Sequence, residues 1–215
     1  MPDSCPTWDL TDLYEGIGDD AIAADLARCR REAERMESAW QGKIGNARPQ
    51  DLATLIADYE QVLEALGKAQ SHAQLLFAAS TTDAQIARHH QSIREASADI
   101  GARLLFVELE IAALPSDHVD RLLETAEFAV WQPWLRRVRA FAPHQLFPDM
   151  ERMLAERAPS GRGAWVRLFD ETAAGLRFPI GDADVTEPEV LHMLSSPDAD
   201  ERRRAGRSRS QPLTD

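Results

Sequence analysis

Residues 86–114 read IARHHQSIREASADIGARLLFVELEIAAL. Within this stretch Ile86, His90, Ile93, Ser97, Ile100, Leu104, Val107, Ile111 and Leu114 follow one another at steps of four and three. That alternation puts one stripe on one face of an α-helix. A sustained seven-residue repeat also favours a shallow crossing with neighbouring helices and a slight left-handed supercoil. Two members of the stripe are polar. Ser97 is small and sits between Ala96 and Ala98, and its hydroxyl is expected to bond back to the carbonyl four residues earlier. His90 reads as a core-edge histidine hydrogen-bonded to the preceding helix, ahead of a ligand or pH-switch role. Thr82 followed by Gln85 reads as a capping box at the start, and Pro115 ends the helix.

The same pattern lies upstream. Leu52, Leu55, Tyr59, Val62, Leu66, Ala69, Ala73 and Leu76 form a second stripe, widened by Ile56, Leu63 and Phe77 and opened at Pro49. The polar turn Ser80-Thr81-Thr82-Asp83 joins the two helices as an antiparallel hairpin. Ile22, Leu26, Cys29, Ala33, Met36 and Trp40 give a first helix over 20–44. Downstream the elements shorten. Helices are expected over about 117–126, from Pro133 to Ala140, from Asp149 to Arg157 with Met150, Met153 and Leu154 apolar, and from Gly163 to Ala173. The period then changes: Leu176-Arg177-Phe178, the turn Gly181-Asp182 and Val185 predict a short β-hairpin. Thr186-Glu187-Pro188-Glu189 is a capping box for the next helix, and Ser196-Pro197-Asp198 starts the last. The predicted fold is all-α: long antiparallel helical hairpins with heptad-like packing, then shorter helices and one small β-hairpin. Three regions follow: 1–115 with the long helices, 116–195 as a second helical subdomain with the hairpin near 175–186, and 196–215.

Composition narrows the function. The chain has 215 residues and a net charge of −12, which repels phosphate backbones and anionic membranes, so neither nucleic acid nor membrane is an expected partner. Two cysteines exclude a disulfide scaffold. The longest apolar runs are far shorter than the roughly 20 residues of a spanning helix, and the N-terminus carries no secretory pattern, so a cytoplasmic protein is expected.

Candidate chemistry is sparse. The six histidines include no pair four apart, and the His-Glu-x-x-His pattern of a zinc peptidase does not occur. Glu189 and His192 form one Glu-x-x-His pair, which reads as a solvated helix face; with His90 it would make a helical metal carrier only if the three converged. Cys29 lies on a buried stripe as a small hydrophobe, and Cys5 near the end of the chain has no histidine partner in sequence. Ser160-Gly161-Arg162-Gly163 lacks the spacing and the lysine of a phosphate loop. Arg202 to Arg209 carries five arginines in eight positions and reads as a frayed, solvated end. Trp40, Trp131, Trp134 and Trp165 keep helical spacing from other apolar residues, as core tryptophans do. No catalytic, cofactor-binding or metal-ligating residue is assigned.

Several segments, taken in order, carry a family likeness. Thr7-Trp8-Asp9-Leu10-Thr11-Asp12-Leu13-Tyr14 resembles the opening of oligoendopeptidase F-type zinc metallopeptidases, relatives of thimet oligopeptidase. His144-Gln145-Leu146 followed by an acidic, Met-containing helix resembles their His-x-Leu segment. Gly163-Ala164-Trp165-Val166-Arg167-Leu168-Phe169-Asp170-Glu171, then Leu176-Arg177-Phe178, is the most specific match. Ser196-Pro197-Asp198 with Arg202-Arg203 resembles the junction into the family's catalytic domain. The resemblance implies a mostly helical shell around a channel in which a zinc ion hydrolyses short peptides. In that shell the N-terminal helices form a wall, and the zinc ligands lie in a C-terminal part. On that view residues 196–215 are the truncated start of the catalytic domain, and this chain alone is inactive. Its partners are then the missing catalytic lobe and, in the complete enzyme, oligopeptides; exposed apolar surface would also favour self-association. The alternative is a free-standing helical interaction module.

Overall fold

The computed structural model describes residues 8–210. Its nine α-helices and one two-stranded antiparallel sheet bear out the predicted all-α class. Cys5, Thr7 and the stretch after Ser210 lie outside the described residues.

Three long helices pack against one another: α1 (Asp20–Trp40), α2 (Pro49–Ala79) and α3 (Ala84–Ala113). The stripes are the buried faces. From His90 to Leu114 every stripe member of α3 is buried, and Ile22, Cys29, Ala33 and Met36 are buried on α1. On α2 the stripe is buried from Leu52 to Ala73 and Leu76 is part-buried; Leu63 is exposed, and His72, a polar residue beside the stripe, is buried. The ends show why the chain turns where it does. Pro49 takes the first helical position of α2, where its missing N–H costs nothing. α3 starts one residue later than Thr82 predicts: the Asp83 carboxylate accepts from the Gln85 and Ile86 amides, and a carboxylate at the positive end of a helix outcompetes a hydroxyl. Between α1 and α2, Glu110 accepts from the Gly42 and Ile44 amides at 2.6 and 3.2 Å. Gly42 has φ +77°, which a side chain would strain. The last carbonyls of α3 accept from Arg139, so the helix end is satisfied from across the fold.

Against this bundle lie α4 (Ser116–Leu123), a 3-10 turn over Ala126–Trp131, α5 (Gln132–Phe141) and α6 (Pro148–Arg157). Phe128, Leu135 and Val138 complete the main core with Met36, Leu55, Ile100 and Leu104, and Trp40, Trp131 and Trp134 pack on its margin. α7 (Arg162–Gly175) follows. Phe178, Val190 and Ala205 then form a separate, small core. It joins the hairpin β1 (Phe178–Ile180) and β2 (Ala183–Val185) to α8 (Glu187–Met193) and α9 (Ala199–Ser210). The predicted capping box is present: Glu189 accepts from both the amide and the hydroxyl of Thr186. The arginine-rich stretch corrects its reading as a frayed end. It is α9, with Ala205 and Ser208 buried and Arg202 donating to the Ser196 and Pro197 carbonyls. Single apolar positions such as Ala205 are enough to dock it, and no stripe announces them.

Candidate functional site

The residues singled out for chemistry do not come together. Cys29 is fully buried, and burial pushes its thiol above the ordinary range. Glu189 is engaged as the α8 cap, on the small core, whereas His90 lies on α3 in the bundle. Among the described residues no group of three or more His, Cys, Asp or Glu side chains gathers as metal ligands would. His90 does meet helix α2, but its ring stacks on Phe77 at 4.8 Å between centroids, and its Nδ1 is buried with no hydrogen-bond partner. The expected hydrogen bond gives way to ring packing because the residue opposite is aromatic. Ser97 likewise has no partner for its hydroxyl. Sequence reasoning missed His72 and His89. His72 is 1 % exposed, with its ring edge-on to Tyr14 at 5.3 Å and to His89 at 6.2 Å. A signal for His72 existed in its position beside Ala69 and Ala73, whose neighbours face the same core.

What distinguishes the surface is a pair of helices turned inside out. On α6, the part-buried Arg152 donates to Glu37 of α1 at 3.3 Å, while Met150, Met153 and Leu154 are each about half exposed. On α7, Gly163 is buried and Arg167 donates to Gln91 of α3. Trp165, Leu168 and Phe169 point away, the tryptophan and the phenylalanine each 72 % exposed. Trp165 therefore corrects its reading as core. Both outward sets recur at i, i+3 and i+4, the spacing of one helix stripe. Scattered apolar residues on a surface are ordinary, but ordered stripes on successive helices mark contact with something else.

Comparison with known proteins fits this region. Residues 110–178, which include both helices, match the family model described as Oligopeptidase F. No curated protein sequence matches the chain. Among solved structures, oligoendopeptidase-F from Enterococcus faecium shares the fold with a TM-score of 0.70 at 14 % identity. The match covers 88 % of this chain and 37 % of that one, so the chain spans little more than a third of the protein it is similar to. The chain thus resembles the N-terminal region of oligoendopeptidase F-like peptidases, in sequence over residues 110–178 and in fold over most of its length. No helix among the described residues is long and apolar enough to cross a membrane.

Proposed function

We propose that this chain is the N-terminal helical lobe of an oligoendopeptidase F-like zinc peptidase and forms one wall of its substrate channel. The observation that carries the reading is the outward-facing stripes of α6 and α7, Met150-Met153-Leu154 and Trp165-Leu168-Phe169. A lobe made to be covered by a partner lobe keeps apolar residues where a self-contained domain would place charge. The described residues offer no donor set for the zinc that the resemblance implies. Peptide hydrolysis belongs, on this reading, to a longer cytoplasmic protein whose other lobe supplies metal, general base and the second wall. The residues of this lobe position and confine: α6 is held to α1 by Arg152 and Glu37, α7 to α3 by Arg167 and Gln91, and the stripes are left free for the partner.

The test uses the purified chain with a quenched fluorescent oligopeptide and added zinc. No chelator-sensitive cleavage is expected, and a dye that fluoresces on exposed apolar surface should bind strongly. Robust cleavage suppressed by chelator would overturn the reading. A monodisperse chain that leaves the dye dark would favour the alternative, a free-standing interaction module.

A further inference from the structure

A cleft lies between the α2–α3 hairpin and the start of α7. Two adjoining cavities of about 450 and 430 Å³ share Gln74, His90, Arg94 and Ala158 as walls. Arg162 and Arg167 of α7 line the second, with Asp170 as its one acidic residue. In a chain of net charge −12, three guanidinium groups beside one carboxylate are an inverted composition. Arg167 is oriented by Gln91 and lies 3.7 Å from Glu171, whereas Arg94 and Arg162 enter none of the ion pairs among the described residues.

Two local features give the cleft its form. A Cβ added at Gly163 would collide with the Arg94 guanidinium and come within 2.9 Å of the Ala158 carbonyl oxygen. The absence of a side chain there lets the first turn of α7 lie directly on Arg94. The first turn of a 14-residue helix thus meets a guanidinium at the mouth of the cleft; its Gly163, Ala164 and Trp165 amides already donate to the Ala158 and Gly161 carbonyls, so the anion-attracting charge there is that of the arginine side chains with the helix dipole behind them. The second feature is His90, only 5 % exposed, which lines both cavities and has a buried Nδ1 without a partner. Its ring, stacked on Phe77, closes the inner wall of both cavities.

We propose that this cleft binds a small molecule through a phosphate-monoester group, held by Arg94, Arg162 and Arg167 at the start of α7 with His90 behind it. The number of arginines selects the group. One guanidinium fork already satisfies a carboxylate, whereas a phosphate dianion accepts on three oxygens and from several directions. The cavities exceed an inorganic phosphate, and Gln70, Ser71 and Gln74 offer polar contacts to the rest of the ligand.

The test is isothermal titration of the 215-residue chain with inorganic phosphate, with acetate as the carboxylate counterpart. Saturable one-site binding of phosphate is expected, with acetate about tenfold weaker or more, because the doubly charged group gains from every arginine. Arg94→Gln and Arg162→Gln should each weaken phosphate about tenfold, and Gly163→Ala should weaken it by displacing Arg94. Arg94→Lys keeps the charge but not the fork and should fall between, with the helical circular dichroism unchanged; Arg203→Gln on α9 should have no effect. Absence of saturable binding, equal affinity for acetate, or equal loss in the α9 control would each overturn the proposal.

Discussion

Single residues carry the pH response of the bundle. His72, His89 and His90 are all held below the ordinary histidine range, burial being the main cause in each. Around His72, Asp19 works against that shift while Lys68 adds to it; His72 in turn lowers His89. Around His90, Arg94, Arg167 and His89 add to it, and the Phe77 ring offers no hydrogen bond. The sign is then fixed. A histidine that is harder to protonate when folded leaves the unfolded chain binding more protons. Stability is full above the unfolded value of about 6.5 and is lost as pH falls through the depressed folded values. Urea unfolding followed by circular dichroism should show a midpoint constant from pH 8 to 7 that declines between pH 6.5 and 5. His72→Met should make that decline shallower. A midpoint that stays flat to pH 5 would contradict uncharged, buried rings. The carboxylates held low by hydrogen bonds, such as Asp25 with Arg28 and Tyr14, titrate below this window and do not obscure it.

Whole elements were legible in the sequence to the extent that periodicity decides them. The three long helices follow from the stripes, because burying one face of a helix against two others forces the three-four step. The capping box at Thr186 and the β-hairpin follow from local turn and cap chemistry that needs no distant partner. Contacts from other elements were not legible. Arg139 reaches the end of α3 from α5, and Glu110 organises the α1–α2 turn from α3; each is joined only by the completed fold. The outward stripes of α6 and α7 show the other limit: periodicity reveals that a face is apolar, not whether this chain buries it. The cleft at Gly163 was illegible for a related reason, since its arginines come from two helices far apart in sequence. The start of α3 gives a test at this scale. Asp83→Ala should cost about 1 kcal/mol, as loss of an N-cap does, and lower the thermal midpoint by about 2–4 °C. Thr82→Ala should change it by less than about 0.5 kcal/mol. The reverse order in a thermal melt would restore Thr82 as the cap.

For the molecule as a whole, the main core and the small core at the hairpin have different standing. The main core binds long helices over a wide sequence range, whereas the small core rests on Phe178, Val190 and Ala205 with a margin of partly buried neighbours. Between them α6 and α7 are tied to the bundle by polar contacts and turn their apolar residues outward. Such a molecule should meet its own copies when no other lobe is present, because each large side chain covered on contact contributes about 1.5–3 kcal/mol. Replacing Leu154 and Phe169 with glutamate in one variant removes one outward residue from each stripe and adds charge to both. Sedimentation should then show self-association weakened about a hundredfold or more, since two such side chains amount to at least about 3 kcal/mol and each 1.4 kcal/mol is tenfold. Helicity and thermal midpoint should hold, because neither residue takes part in a core. If the variant lost its fold instead, the two side chains would be holding α6 and α7 in place, and the inside-out description of these helices would be wrong. If it kept both fold and association, the copies would be meeting through another face, and the stripes would no longer mark where a second lobe belongs.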